Sequence, residues 1–220
     1  MHSWPFWRIS RNLIVPHKQI FAEQTDVSHE TLEKYDIWHK LLIKWNAKIN
    51  LVAKSTLPEF WVRHALDSWQ ITPYLRVEDR HVLDFGSGAG FPGIACAIKL
   101  SEMANCRVTL VESAGKKASF LRTVIRELDL SAHVHGDRLE ALEPFPADVI
   151  TARAFAPLPR LFNYASPFLS DHTQLILLKG GAVDEELKDV SKEWTFTYKT
   201  VKSLSDEDGC VLIIKNLKRI

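Results

Sequence analysis

The stretch from Val82 to Gly93 constrains the fold of this 220-residue chain more than any other. It reads VLDFGSGAGFPG, an apolar run that ends in an acid, followed by a glycine cluster and a helix-like segment. The pattern predicts a strand, a tight turn and the N-terminus of a helix. Glycines have no Cβ, so the backbone N–H groups of such a turn can closely approach a nucleoside-type ligand. We therefore expect a nucleotide-like cofactor here.

Two classes of cofactor fit this turn. Gly88–Gly93 satisfies the G-x-G-x-x-G pattern of dinucleotide sites, which is a weak signal alone. Asp84, Gly86, Gly88 and Gly90 also satisfy the first motif of S-adenosylmethionine (AdoMet) methyltransferases. A carboxylate is unfavourable beside a pyrophosphate, whereas AdoMet carries a cationic ammonium and a sulfonium. Asp84 thus favours AdoMet, although glycine-rich turns also join strands to helices in proteins that bind nothing there.

A second acid supports a nucleoside ligand. Arg107–Glu112 reads as a strand that ends in a carboxylate, about twenty residues beyond the glycines, where an acid can accept hydrogen bonds from ribose hydroxyls. NAD and AdoMet sites share this spacing, so Glu112 does not choose between them. The alternative is a solvated side chain near a helix N-terminus.

From residue 79 onward the chain alternates strands and helices, which predicts an α/β fold with a mostly parallel, Rossmann-like sheet. The predicted strands are 81–85, 107–112, 133–135, 147–152, 174–179, 195–202 and 210–216. The predicted helices are 92–103, 115–129, 138–142, 158–168 and 183–192. The short connection around Asp206–Gly209 suits an antiparallel hairpin, and a parallel sheet closed by such a hairpin is typical of class I AdoMet-dependent methyltransferases.

Three segments are predicted along the chain. Residues 1–22 read as irregular and basic, and we predict a mobile arm over residues 1–25. A small helical N-terminal segment follows over 26–78, with one helix starting at Ser28 and a second over Leu57–Tyr74. Residues 79–220 form the predicted methyltransferase domain.

Composition bounds the cellular setting and the partners. No apolar stretch approaches a membrane span, and the N-terminus lacks the apolar core of a signal peptide. The three cysteines have no metal-ligand spacing and read as reduced thiols. We therefore expect a cytoplasmic monomer that binds neither membrane nor metal.

The net charge of +1 does not by itself announce a nucleic-acid partner, but the positive charge is uneven. Three clusters can form one basic surface or can be ordinary solvated faces. They are Arg8, Arg11 and Lys18; Lys116, Lys117, Arg122 and Arg126; and Arg153, Arg160 and Lys179.

Several blocks of sequence resemble one family when taken in order. They are Lys44–Asn46 with Asn50-Leu51, Val62–Ser68, Asp84–Ile94, Glu112-Ser113 with Lys116-Lys117 and Phe120–Arg122, Arg153–Ala156, and Leu178–Gly180. This order resembles the RsmG family, also called the glucose-inhibited division protein B family, whose members methylate guanine N7 in bacterial 16S ribosomal RNA. The H-x-x-D-S block, the G-x-P-G end of the turn and the R-A-F-A segment are specific, whereas the glycine turn is common. The resemblance covers about residues 45–180.

The resemblance implies a set of cofactor-binding residues. The turn from Gly86 through Ser87, Gly88 and Gly90 to Phe91 looks like the family's AdoMet site, with Gly86 near the methionine end. Glu112 matches the acid on the ribose, Leu139 and Glu140 match the pair that flanks the adenine, and Arg153 matches the arginine at the cofactor and reaction centre. This chain departs from many members at Ala89, where they have Pro, and at Glu112, where they have Asp.

Other residues are candidates for positioning or for RNA contact. Arg153 can stack on guanine, bind the cofactor carboxylate or grip a phosphate; a surface ion pair is the alternative. His64 and Asp67 lie one turn apart and can brace the glycine turn, touch RNA or hold two parts of the chain together. Lys116 and Lys117 oppose the dipole of the helix they begin, which favours phosphate binding. Lys179 ends a strand, and it can likewise have a functional contact or form a surface ion pair.

The implied reaction suits these residue types. Guanine N7 carries a free lone pair, so its attack on a methyl group is an in-line displacement that needs alignment rather than a general base. The segment Thr151–Ala154 lacks the Asn/Asp-Pro-Pro-aromatic pattern of exocyclic-amine methyltransferases, and the chain has no Pro-Cys pair for pyrimidine C5 attack. The expected partner is 16S rRNA, the small ribosomal subunit or its assembly intermediate. The alternatives are a methyltransferase for a non-RNA acceptor, a nucleotide-binding oxidoreductase and a non-catalytic RNA-binding module.

Overall fold

A computed structural model describes residues 17–220 except Glu102 and Ala104. Residues 1–16, which include Arg8, Arg11 and most of the predicted arm, lie outside the described residues. The prediction of irregular structure up to residue 22 is wrong for its last residues, because helix α1 spans His17–Thr25 and buries Phe21 completely. Phe21 packs on Tyr35 and Trp61, so burial of an aromatic ring stabilises this helix.

The fold is a seven-stranded sheet in the order β3-β2-β1-β4-β5-β7-β6. The strands are β1 (His81–Phe85), β2 (Arg107–Val111), β3 (Ala132–His135), β4 (Val149–Arg153), β5 (Gln174–Lys179), β6 (Trp194–Lys202) and β7 (Cys210–Arg219). The first five are parallel, and β7 runs antiparallel to both β5 and β6. The predicted class I methyltransferase fold, with its C-terminal hairpin, is thereby confirmed.

Helices cover both faces of the sheet, and this explains why β1, β4 and β5 are apolar on both sides. The remaining α-helices are α2 (His29–Asn46), α3 (Asp67–Trp69), α4 (Gly93–Leu100), α5 (Gly115–Glu127), α6 (Leu158–Ala165) and α7 (Val183–Val190). One core cluster joins α1, α2, α4 and α5 to the sheet, and a second joins α6 and α7 to its other face. The predicted helix over 138–142 is only a 3-10 turn at Leu139–Ala141.

The helical N-terminal segment packs directly against the glycine turn. The Ser28 side chain caps α2 by accepting a hydrogen bond from the Thr31 backbone N–H. Trp38 is fully buried, and its Nε1 donates to the Ala89 carbonyl at 3.2 Å. Trp45 packs edge-on against Phe120 of α5. Two contacts therefore attach α2 to the elements that begin at the ends of β1 and β2.

The predicted single helix over Leu57–Tyr74 is wrong in detail. The chain forms a 3-10 helix at Lys54–Glu59, a π-helical turn at Phe60–Leu66, α3, and a 3-10 turn at Thr72–Tyr74. Proline lacks the backbone N–H that a continuous helix needs, and Pro58 and Pro73 lie in the two 3-10 segments. The wider π turn carries His64 and leads directly into Asp67. No helix within the described part of the chain is long and apolar enough to cross a membrane.

Candidate functional site

The turn between β1 and α4 has the backbone geometry that its glycines allow. Gly86, Gly88 and Gly90 all have positive φ, at 63°, 55° and 98°, a region that other residues enter at a cost. Two short hydrogen bonds close the turn, from Gly90 N to Ser87 O at 2.6 Å and from Ile94 N to Gly90 O at 2.7 Å. Ser87 N donates to Val111 O at 2.9 Å and so ties the turn to the end of β2.

The turn and the start of α4 contain four glycines. There is no room for a side chain at Gly86, Gly90 and Gly93, whereas Gly88 faces open space. A Cβ on Gly86 would lie 2.5 Å from Cδ2 of Phe155, and a Cβ on Gly90 would lie 2.5 Å from Ile94. A Cβ on Gly93 would meet Leu110 and Asp84. At Gly88 the nearest atom would be the Gly86 carbonyl oxygen, 3.8 Å away. Gly88 therefore faces open space on its Cα side, and binding of a ligand there stays a prediction.

Glu112 reaches over this open part of the turn. Its Oε2 accepts from the Gly88 N–H at 2.9 Å and its Oε1 accepts from the Ala114 N–H at 2.8 Å. The side chain spans the ends of β1 and β2, which are neighbours in the sheet. A carboxylate has about four lone-pair sites, so both oxygens keep acceptor capacity for ribose hydroxyls. Glu112 thus lies beside the turn at the ends of β1 and β2, and its contact with a ribose stays a prediction.

Asp84 lies beneath the turn and has no exposed surface. Its Oδ1 accepts from the Thr151 hydroxyl at 2.7 Å, and burial raises the pKa of this carboxyl to about 6. The motif suggested that Asp84 contacts the cofactor directly, but its side chain has no exposed surface for such a contact. Asp84 instead braces the turn from below and acts on a cation above it only through its field.

Arg153 is the centre of the site. It ends β4, and its guanidinium contacts three side chains. Nη1 forms an ion pair with Asp67 Oδ2 at 2.9 Å, Nη2 is 2.9 Å from His64 Nδ1, and the guanidinium carbon lies 5.2 Å from the centre of the Phe91 ring. Arginine suits this position because its planar fork can serve several partners at once. The structure therefore brings together four residues that the sequence identified separately.

The protonation state of His64 follows from these contacts. Burial, reinforced by Arg153 and Arg63, lowers the pKa of His64 to about 3, so the imidazole is neutral. The guanidinium can only donate, so His64 Nδ1 accepts and Nε2 carries the proton, 3.0 Å from Thr56 Oγ1. His64 also stacks on Phe91, with ring centres 4.8 Å apart. It braces the turn, one of the roles considered for it.

Asp67 connects Arg153 to the C-terminal hairpin. Its Oδ1 accepts from Ser205 Oγ at 2.5 Å and from Gln70 Nε2 at 2.9 Å. Gln70 also donates to Ser203 Oγ and accepts from the Leu204 N–H. Burial raises the pKa of Asp67, and the neighbouring Arg153 opposes that shift. The helical N-terminal segment and the β6–β7 hairpin are therefore joined across the site, a connection that the sequence did not reveal.

A cavity of about 690 Å³ opens at the carboxyl ends of β4 and β5. Its lining includes Arg153, Asp67, Phe155, Lys179 and the hairpin loop around Ser205 and Asp206. Phe155 also packs against Gly86, so its ring borders both the cavity and the glycine turn. Sequence reasoning noted the R-A-F-A segment but assigned Phe155 no role. An aromatic residue two positions after a strand-terminal arginine was the available signal.

The remaining cofactor candidates have different surroundings. Phe91 is buried against Trp38, His64 and Arg153, so its ring supports the turn from the N-terminal segment. Leu139 is buried, whereas Glu140 is exposed. Glu112 N donates to the carbonyl of His135, at the end of β3 and four residues before Leu139. Leu139 and Glu140 therefore follow β3 at the same edge of the sheet as the glycine turn.

Several members of the predicted basic clusters have their charges paired with acids. Within the described residues, four of their members form ion pairs: Lys18 with Asp36, Arg126 with Glu127, Arg153 with Asp67 and Lys179 with Glu186. Arg160 contacts the Tyr164 hydroxyl. Lys116 is exposed and Lys117 half-buried at the start of α5.

The described residues fit AdoMet at this turn. Gly88 offers an approachable backbone, Glu112 offers acceptors, and the buried Asp84 places negative potential below a cationic group. A dinucleotide would place its pyrophosphate close to the buried Asp84 carboxylate, which is unfavourable. Among residues 17–220, as far as described, no group of three or more His, Cys, Asp or Glu side chains is arranged to hold a metal ion.

Known proteins resemble this chain in sequence and in fold. Residues 30–210 match the family described as rRNA small subunit methyltransferase G. The ribosomal RNA small subunit methyltransferase G of Paramagnetospirillum magneticum is 43% identical over 196 residues, covering 89% of this chain and 94% of that protein. The protein of the same name from Hyphomonas neptunium is 44% identical over 201 residues, covering 90% and 94%.

Solved structures agree with the fold. An O-methyltransferase from Bacillus cereus in complex with SAH has a TM-score of 0.61 at 16% identity, covering 90% of this chain and 96% of that one. A putative O-methyltransferase from Klebsiella pneumoniae has a TM-score of 0.63 at 14% identity with the same coverage. At such identities the likeness concerns the fold alone.

Proposed function

This chain belongs to the rRNA small subunit methyltransferase G family, and we propose that the atom it methylates is N7 of a guanine in 16S ribosomal RNA. As a member of that family it is an AdoMet-dependent rRNA methyltransferase, with ribosomal RNA as its substrate. The acceptor atom, the mechanism and the role of each site residue are the proposal.

The observation that carries the proposal is the residue at the end of β4. Arg153 lies at the boundary between the glycine turn and the cavity, and a guanidinium presents only hydrogen-bond donors. Methylation of an exocyclic amine calls for an acceptor at the reacting nitrogen, whereas N7 already has a free lone pair. The guanine O6 next to N7 is an acceptor that a guanidinium suits. Arg153 therefore favours a ring-nitrogen target over an amine.

Three proton acceptors close to Arg153 and Lys179 are already engaged. Asp67 pairs with Arg153, Glu186 pairs with Lys179 at 2.6 Å, and Nδ1 of His64 accepts from Arg153. None of these three is poised to take a proton from a substrate. When bound, AdoMet supplies an electrophilic methyl group, and in-line attack by N7 needs alignment and exclusion of water rather than a base.

The chain's residues divide the remaining tasks. We propose that Glu112 holds the ribose of the cofactor, that Leu139 and Glu140 flank its adenine, and that the Gly86–Phe91 turn holds the rest. The target base enters the cavity, where Phe155 packs beside it and Arg153 orients it toward the methyl group bound at the turn. A volume of about 690 Å³ is within the range of small-molecule sites and suffices for one nucleotide.

The segments take separate roles in this proposal. Residues 79–220 form the methyltransferase domain, and residues 26–78 complete its site by supplying His64 and Asp67. The protein acts as a monomer. It acts in the cytoplasm, because ribosomal subunits are made there. The substrate is 16S rRNA free, in the small subunit or in an assembly intermediate.

The test is methyl transfer from labelled AdoMet to 16S rRNA that lacks this modification, mapped by N7-specific chain cleavage. We expect one labelled guanine and a cleavage at that nucleotide only. Label at an exocyclic amine or a pyrimidine, or no transfer to any ribosomal substrate, would overturn the proposal. A Lys215→Gln variant, altered at the edge of the sheet opposite the cavity, should transfer the label at the wild-type rate.

A further inference from the structure

The contact between α2 and α5 brings lysines from two distant parts of the chain together. The rings of Trp45 and Phe120 lie 5.8 Å apart at this contact. Lys44 and Lys48 flank Trp45 in the sequence, and Lys116 and Lys117 lie four and three residues before Phe120. Lys116 and Lys117 share a face of α5 with Phe120, whereas Lys44 directly precedes Trp45 and Lys48 lies just beyond the end of α2. Both pairs therefore adjoin the same helix–helix contact. We call Lys44, Lys48, Lys116 and Lys117 the lysine surface.

This surface keeps its positive charge, unlike most of the other basic clusters. Three of its lysines are exposed and Lys117 is half-buried. No ion pair within the described part of the chain involves any of the four, whereas Lys18, Arg126, Arg153 and Lys179 each pair with an acid. Lys44 has Lys40 one turn before it and Lys48 four residues after it, so like charges adjoin it in both directions.

The dipole of helix α5 adds to the positive field at this place. Lys116 and Lys117 lie in the first turn of the 13-residue helix α5, whose N-terminus is itself positive. Cations there are unfavourable unless an anion compensates them. Lys44 lies in the last turn of α2, where a cation is favourable. The two lysine pairs therefore differ in how they interact with the dipoles of their own helices, but all four charges contribute to one positive field. Four ammonium groups and a helix N-terminus therefore act together on an approaching anion.

The position of the surface relates it to catalysis. Helix α5 begins just after Glu112, and the Ala114 N–H in its N-terminal turn donates to that carboxylate. In the sheet, β2 lies on one side of β1, while β4 and β5, which carry the cavity, lie on the other. The lysine surface and the cavity thus flank the glycine turn from opposite sides at the carboxyl edge. An RNA strand whose target base occupies the cavity passes the turn before it meets the lysines.

We propose that the lysine surface binds backbone phosphates of the RNA that flanks the target guanine. The inference rests on the proposed function, since it assumes that the base enters the cavity. Phosphates suit the surface because its lysines are flexible point charges that offer no planar, base-specific recognition. The surface therefore contributes affinity and register, while the cavity selects the base.

The test is the salt dependence of binding to in vitro transcribed 16S rRNA. A Lys44→Gln, Lys48→Gln, Lys116→Gln, Lys117→Gln variant is compared with a control of equal charge change, Lys188→Gln, Lys192→Gln, Lys215→Gln, Lys218→Gln. The control lysines are exposed and lie toward the amino edge of the sheet, where Lys215 pairs in register with the first residue of β5. Each lost phosphate contact lowers the slope of log K against log salt by about 0.7 on single strands, so four lost contacts lower it by about 3.

We expect the reduced slope and weaker binding in the first variant only. An unchanged slope in that variant, or an equal loss in the control, would overturn the inference. AdoMet affinity, measured by calorimetry, should be unchanged, and a parallel loss would also count against direct RNA contact. If guanine N7 is methylated at the wild-type rate and the slope of log K against log salt does not depend on these lysines, this inference is wrong and the proposed function is unaffected. A lysine-dependent slope without guanine methylation would instead sink the proposed function and leave the phosphate surface standing.

Discussion

The guanidinium of Arg153 donates from Nη2 to Nδ1 of His64 at 2.9 Å, and this contact holds the imidazole neutral. The histidine cannot accept a proton at Nδ1 without losing the bond and placing two cations side by side. Burial acts in the same direction. His64 is therefore a fixed acceptor that positions Arg153, and not a proton carrier at neutral pH.

The first prediction concerns pH and stability. The pKa of His64 is about 3 in the folded protein and 6.5 for the ordinary side chain. Below pH 6.5 the unfolded chain binds a proton that the folded chain does not, so the stabilisation is complete above pH 6.5 and is lost as the pH falls toward 3. His64→Gln removes this term. Relative to the variant, the wild type should lose about 2 kcal/mol of unfolding free energy between pH 7.5 and pH 5.

Urea unfolding at several pH values measures this difference. Taking the difference between the two proteins matters because Asp84, whose pKa is raised to about 6, has the opposite trend. Its stabilising contribution falls as the pH rises from about 4 to 6. The exposed His172, changed to Gln, is the control and should leave the profile unchanged. A parallel pH profile for wild type and His64→Gln would show that His64 is protonated in the folded state.

The second prediction concerns the shape of Arg153. Arg153→Lys keeps the charge, but one ammonium cannot serve Asp67, His64 and the Phe91 ring together. Misplacement of a reacting group by about 1 Å costs on the order of 100-fold in rate, so we expect a loss of methyl transfer of that size. Arg160→Lys, on an exposed arginine that contacts Tyr164, is the matched control and should retain activity. A wild-type rate in Arg153→Lys would reduce Arg153 to a simple counter-ion.

The third prediction separates strain from steric overlap in the glycine turn. Gly86→Ala meets both a φ of +63° and a contact of 2.5 Å with Phe155, whereas Gly88→Ala meets a φ of +55° in open space. Backbone strain of this kind costs about 1–3 kcal/mol, so both variants should be less stable than the wild type, and Gly86→Ala should be the less stable of the two. Thermal unfolding and AdoMet calorimetry measure the effects on stability and on cofactor affinity.

Gly180→Ala provides the reference for this pair. A Cβ added to Gly180 would have no heavy atom within 4 Å, and the φ of this glycine is not positive, so alanine should be neutral there or slightly stabilising. Equal stability of Gly86→Ala and Gly88→Ala would mean that the Phe155 contact is not maintained in solution.

The fourth prediction concerns Glu112. An amide at this position has one oxygen and one NH₂ group, so Glu112→Gln cannot accept from both Gly88 and Ala114. Hydrogen bonds to charged groups contribute about 1.5–3 kcal/mol, so AdoMet affinity should fall by about 10- to 100-fold. The exposed Glu143, changed to Gln, controls for the loss of one negative charge. Unaltered AdoMet affinity would remove Glu112 from the cofactor site.

The fifth prediction distinguishes the two cofactors that the motif allowed. AdoMet at about 100 times its dissociation constant should add about 2.7 kcal/mol to the stability and raise the melting temperature. NAD should leave the melting temperature unchanged, because the Asp84 carboxylate below the turn repels a pyrophosphate. A larger shift with NAD than with AdoMet would revive the oxidoreductase interpretation.

Local sequence signals were sufficient wherever the structure depends on neighbours in the chain. Each glycine of the turn marks a backbone conformation at its own position, and each apolar strand run marks burial on both faces. The short polar connection before Cys210 indicated the hairpin. Helix ends were less predictable: α6 ends at Ala165, not at 168, because a 3-10 turn containing Pro167 replaces its last part.

Local patterns were thus enough to predict the α/β class and the glycine turn, and together with the family resemblance they named Arg153, His64 and Asp67 as candidate site residues. That these three side chains meet is a property of the packed fold, because a π-helical turn aims two of them at the end of β4. Packing also determines which charges remain. Gln70 reaches Ser203 across 133 residues of chain, and Lys179 is neutralised by Glu186, whereas Lys116 and Lys44 converge through a ring contact. Such pairings depend on contacts between distant segments, which no local pattern encodes.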